Sequence, residues 1–114
     1  MVKATEYSLK GLRSAWRHEP AFRQECVIGL ILLPCAFLLG ETLVQTALLI
    51  GVCLIVLIIE LLNSAVEAAV DRTGDEPHDL AARAKDMGSA AVALSLVLVW
   101  VTWGLVALQR WQQL

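Results

Sequence analysis

The sequence predicts an all-α membrane protein, with three transmembrane helices and an N-terminal amphipathic surface helix. Three observations carry that expectation. Apolar residues make up 58% of only 114 residues, three long runs carry no charge, and basic residues gather on one side of them. A soluble domain of this length lacks the interior volume to hide so many apolar side chains. The mean hydropathy of +0.67 agrees. The length suits one integral-membrane domain over 1–114, and a net charge of −2 gives no footprint for nucleic acid.

The surface helix is expected over about 4–18. There Tyr7, Leu9, Leu12, Ala15 and Trp16 interleave with Lys10, Arg13 and Arg17, a pattern suited to the membrane surface. The segment does not read as a secretory signal, because its first apolar run begins only at Cys26. That run, "CVIGLILLPCAFLLG", is short for a hydrocarbon core of about 30 Å. It therefore recruits Ala21 and Phe22, giving a span over about 21–40 that starts after Glu19-Pro20 and kinks at Pro34.

The second uncharged run, "TLVQTALLIGVCLIVLII", opens a span over about 42–70. Only Gly40 and Glu41 separate it from the first, so the two spans form a tight helical hairpin. The polar segment from Asp71 to Asp86, with "TGDEP", reads as a loop. A third span follows over about 86–109, built on "GSAAVALSLVLVWVTWGLVAL". Trp100, Trp103 and Trp111 near its end suit either the far interface or helix packing.

All nine basic residues except Arg110 lie on the side of the N-terminus and the long loop. The positive-inside rule then puts that side in the cytosol and the C-terminus outside. Cys26, Cys35 and Cys53 sit in apolar segments without metal spacing and read as inert thiols. His18 and His78 lack zinc spacing.

The second span ends in an anomaly, "IIELLNSAVEAAVDR". On a helix, Glu60, Asn63, Ser64, Glu67 and Asp71 fall within a sector of about 100°. Glu60 is deepest, and Glu67 lies about 10 Å further toward the cytosol. An ionised carboxylate costs roughly 2.5–3.5 kcal/mol at the centre of a span, so this face should meet a bundle interior, water or a ligand. Lys85, Asp86 and Ser89 open the third span at the same level, and Glu19, Arg23, Gln24 and Glu25 open the first.

A purely structural polar cluster is the simplest alternative. Interhelical hydrogen bonds contribute only about 0.6 kcal/mol on average in membranes, too little to offset several carboxylates. Carboxylates here suit Mg²⁺, which binds through one or two of them plus substrate phosphates. A lysine neutralises phosphate charge, and a deeper carboxylate serves as general base. No Walker or kinase glycine loop is present, so a soluble nucleotide-binding architecture is not implied.

The stretches "YSLKGLRSAW", "AFRQE", "IIELLNSAVEAAVDR" and "RAKDMGSAAV" resemble the prokaryotic diacylglycerol kinase family of small inner-membrane enzymes. The resemblance runs from about Tyr7 into the third span, most of the chain. It implies a homotrimer with shared active sites, transferring the ATP γ-phosphate to the primary hydroxyl of diacylglycerol. By the same resemblance, Glu60 is the base at the lipid hydroxyl. Glu19 and Glu67 are Mg²⁺ ligands beside the ATP phosphates, supported by Asn63. Tyr7, Glu76, His78, Lys85 and Asp86 resemble nucleotide-contacting positions. Ser8, Arg13, Trp16, Arg23, Gln24 and Ser89 line the lipid side together with Glu60. Two rivals remain at this stage: a kinase for undecaprenol or another lipid alcohol, and a small oligomeric transporter using Glu60 as an ion or proton site.

Overall fold

In a computed structural model, residues 2–72, 74 and 78–114 are described. They form four helices: α1 (Val2–His18), α2 (Pro20–Leu39), α3 (Leu43–Asp71) and α4 (Asp79–Gln112). No strand occurs among the described residues. Three of the helices, α2, α3 and α4, are long and apolar enough to cross a membrane. α3 and α4 have 29 and 34 residues. At about 1.5 Å per residue both exceed a hydrocarbon core of about 30 Å, so polar turns project beyond it.

α3 is the central element. It packs along α4 most extensively and along α2 to a lesser degree. Thr46, Leu49, Val52, Val56 and Glu60 are its buried residues, at the three- and four-residue spacing of one helix face. Opposite them, Phe22 and Ala36 of α2 and Ser95 of α4 are buried as well. Most other apolar side chains point outward, as expected where lipid or another chain is the solvent.

The hairpin between α2 and α3 is as tight as the sequence requires. Gly40 donates its N–H to the Ala36 carbonyl at 2.9 Å, closing α2. Thr42 then caps α3, its Oγ1 accepting the Gln45 N–H at 3.1 Å. Gln45 Nε2 donates to Gln109 Oε1 at 3.3 Å, and Arg110 pairs with Glu41 at 3.5 Å, tying α4 to this end. α2 runs through Pro34, which supplies no N–H to the helix ladder.

One expectation changes. The segment from Asp71 to Asp86 is not all loop, because α4 starts at Asp79. His78 Nδ1 accepts the Leu80 N–H at 3.1 Å, and Asp79 lies in the positive first turn. Polarity there argued against membrane burial, yet alanine, arginine and lysine are good helix formers. Of the two readings open for the tryptophans, Trp103 takes helix packing: its Nε1 donates to the Leu49 carbonyl of α3 at 3.2 Å. Trp100 and Trp111 do face outward.

α1 touches α2 and buries only Ala15. Its Tyr7, Leu9, Leu12 and Trp16 stay exposed, which matches a helix lying on a lipid surface. Arg23 of α2 fastens its end, donating from Nη1 to the carbonyls of Trp16 (2.7 Å) and Arg17 (3.1 Å).

Gly40 has no room for a side chain. A Cβ there would meet Thr46 Oγ1 and stand 2.9 Å from the Thr46 nitrogen and 3.0 Å from the Ala36 oxygen. Gly40→Ala should therefore lower unfolding stability by about 1–3 kcal/mol. Thermal unfolding in detergent micelles measures this, and an unchanged midpoint contradicts the packing.

Candidate active site

The polar face of α3 is shared among three neighbours, because five residues at helical spacing span a broad sector. Its deepest member, Glu60, is buried at 6% exposure. The Glu60 and Glu25 carboxyl groups are in hydrogen-bonding contact, bringing together α3 and α2. Glu67 and Glu19 lie near enough to act on Glu60 through their charge. Glu25 Oε2 is buried without a protein partner.

One edge of the face turns to α4. Asn63 Nδ2 donates to Glu67 Oε1 at 3.4 Å, one turn along the same helix. Asn63 Oδ1 is buried without a protein partner and lies against Gly88. Lys85 Nζ pairs with Asp71 Oδ1 at 2.6 Å, with Glu67 also within its electrostatic reach. The amino group thus stands at the rim of the acidic face.

The other edge opens to α1. A cleft of about 570 Å³ is lined by Ser8, Leu12, Ala15 and Glu19 on one side and by Leu61, Ser64 and Ala68 on the other. Glu19 is the N-cap residue of α2, yet its side chain makes no capping hydrogen bond. Its carboxylate is therefore not spent on the helix end.

Of the expected site residues, Glu60, Glu67, Glu19, Asn63 and Lys85 gather in this layer, and Ser8 lines its cleft. Tyr7 is exposed on α1, where Lys10 Nζ lies 6.0 Å from its ring centre. Arg13 and Trp16 are exposed on α1, Gln24 on α2, and Asp86 and Ser89 on α4. Arg23 is engaged with α1 carbonyls, and His78 commits Nδ1 to the cap of α4. Glu76 and Pro77 lie outside the described residues.

The sequence marks Glu25 only as one of the polar residues opening the first span; neither its direct contact with Glu60 nor the approach of Gly88 to Asn63 is legible there. A carboxylate placed one residue before an apolar run was the available signal for the first.

The donors suit a hard cation. Glu67 and Glu19, whose carboxylate makes no capping bond, are both oxygen donors, which Mg²⁺ prefers. Among the described residues, no three His, Cys, Asp or Glu side chains form a closed metal cage. Mg²⁺ commonly needs only one or two carboxylates when phosphates complete its shell.

Three membrane-length helices around a buried carboxylate and an acidic, lysine-edged layer define the class as a multi-pass membrane protein. Residues 6–107 match the family model described as Prokaryotic diacylglycerol kinase, so the chain belongs to that family. A Haemophilus influenzae protein named Diacylglycerol kinase is 51% identical over 104 residues, covering 91% of this chain and 88% of the relative. One of the same name from Pseudomonas aeruginosa is 50% identical over 108 residues, covering 95% and 88%. A Helicobacter pylori protein, also named Diacylglycerol kinase, is 42% identical over 104 residues, covering 91% and 81%.

Glu25→Gln replaces a carboxylate pair with an amide that donates to Glu60. In mildly alkaline detergent solution this should raise stability by about 1 kcal/mol. A lower melting temperature than wild type would show that Glu25 is held by groups other than Glu60.

Proposed function

We propose that this chain is an ATP-dependent lipid kinase that phosphorylates the primary hydroxyl of diacylglycerol, giving phosphatidic acid. The observation that carries the reading is the buried Glu60 at the membrane end of an acidic face that continues to Glu67. Family membership, and relatives named for this activity, supply the substrate. The lipid hydroxyl sits at the membrane surface while ATP stays in water. The base must then lie deeper than the groups holding phosphate, which is the order of Glu60 and Glu67.

In this reading Glu60 accepts the proton of the lipid hydroxyl as its oxygen attacks the γ-phosphorus. The bond to the ADP oxygen breaks, and ADP leaves. Such transfer needs mainly positioning and charge neutralisation. Mg²⁺, when bound with ATP, would supply charge neutralisation on the phosphate oxygens. Glu19 and Glu67 would hold it, with Asn63 orienting Glu67. Lys85 exchanges Asp71 for phosphate. Tyr7, Glu76, His78 and Asp86 contact the nucleotide, the histidine through the Nε2 its cap leaves free. Ser8, Arg13, Trp16, Arg23, Gln24 and Ser89 border the lipid headgroup.

The enzyme works as a homotrimer in the bacterial inner membrane, with the whole chain as one domain. Its basic side, including the N-terminus, faces the cytosol, and the C-terminus faces the periplasm. The charge distribution supports this orientation. The large apolar surface left open on α4 supports contact with lipid and sister chains.

Vesicles containing either diacylglycerol or undecaprenol, supplied with Mg²⁺ and ATP, test the reading. Phosphate should pass to diacylglycerol. Transfer to undecaprenol alone reassigns the substrate, and transfer to neither removes the kinase.

The division of labour is testable separately. Glu60→Gln should abolish turnover, a loss of at least about a hundredfold, with ATP binding retained. Glu67→Gln should weaken Mg²⁺-ATP binding instead. Equal binding losses in both variants would refute separate roles.

A further inference from the structure

Gly88 lies in the interior of α4, where helix propensity favours almost any residue over glycine. It is not among the described residues with positive φ, so backbone freedom does not explain it. The reason is across the helix interface. A Cβ at position 88 would fall on Asn63 Oδ1 and lie 3.3 Å from its Cγ, with the Asn63 Cβ at an ordinary 3.9 Å. The three nearest atoms all belong to Asn63, and the obstructed one is its amide tip; beyond the chain neighbours and the helix's own backbone, no other atom comes closer than 3.9 Å.

We propose that Gly88 is a positioning residue for phosphoryl transfer, acting through Asn63 on Glu67. The proposal rests on the kinase reading above. Asn63 spans the gap between α3 and α4 with its amide divided between two tasks. Nδ2 donates to Glu67 Oε1 at 3.4 Å, while Oδ1 sits buried in the space over Gly88. The missing side chain is what admits the oxygen, and the placed oxygen is what aims the nitrogen at Glu67. A methyl group at 88 turns the amide aside without moving a backbone, because the obstructed atom is the end of a rotatable side chain. Glu67 then loses its fixed donor and its carboxylate is free to rotate.

This separates function from folding by sign. Alanine is the better helix former, so Gly88→Ala should hold or raise the melting temperature while it impairs the reaction. A glycine retained for packing would move both downward together.

The experiment compares wild type, Gly88→Ala, Asn63→Ala and the double variant in lipid vesicles. Three readouts are taken: kcat, the Mg²⁺ concentration giving half-maximal rate, and the melting temperature. Gly88→Ala should lower kcat or raise the Mg²⁺ requirement by about tenfold to a hundredfold, the usual range for groups that orient metal ligands. The double variant should be no worse than Asn63→Ala alone, since the added methyl then meets no amide. Wild-type kinetics in Gly88→Ala overturns the proposal, as do losses that multiply in the double variant. A Gly88→Ala protein that fails to fold also overturns it, because the glycine then serves packing. The thermal shift given by Mg²⁺ with a non-hydrolysable ATP analogue reads the same coupling without turnover. A wild type that binds this complex but phosphorylates no lipid therefore strikes only the kinase reading.

Discussion

A carboxylate on a membrane-crossing helix must be kept from the hydrocarbon, and the arrangement of the chain follows from this constraint on α3. Glu60 lies within the apolar part of that helix, where each ionised carboxyl is disfavoured by a few kcal/mol. α2 brings Phe22 and Glu25 against this level, α4 covers the side of Asn63, and α1 approaches Ser64. The central position of α3 is thus a requirement of its polar residues as much as of Leu49, Val52 and Val56.

The polar layer is only partly satisfied by the chain itself. Glu25 Oε2 and Asn63 Oδ1 are buried without protein partners, and Glu19 makes no capping bond. Lys85 is bound to an exposed aspartate, an attachment that solvent weakens. A cluster serving stability alone would close its hydrogen bonds internally. These open valences suit a site whose remaining partners arrive with substrate.

Much of the fold was legible because lipid is a uniform solvent. Uncharged length located three spans, and the short gap at Gly40 and Glu41 forced the hairpin. The polar stripe was equally legible, since periodicity fixes which residues of one helix share a face. Contacts between helices were not. Nothing in the order of residues says that Glu25 meets Glu60, that Trp103 reaches Leu49, or that Gly88 lies over Asn63. Those depend on the rotation and axial position of one helix against another. The early start of α4 was missed for a different reason: hydropathy reports membrane depth, whereas the His78 cap reports helix geometry.

Two cross-contacts between α3 and α4 have a mechanical consequence. Trp103 holds the Leu49 carbonyl near one end, and Gly88 rests against Asn63 near the other. Both fit one antiparallel alignment to within a residue. A slide of α4 by one residue, about 1.5 Å with a turn of 100°, would break them together. The axial register of α4 on α3 is therefore set near both ends of their shared length. The turns from Asp79 to Asp86 lie beyond the second contact, so the placement of Lys85 beside Asp71 is inherited from a register set deeper in the bundle.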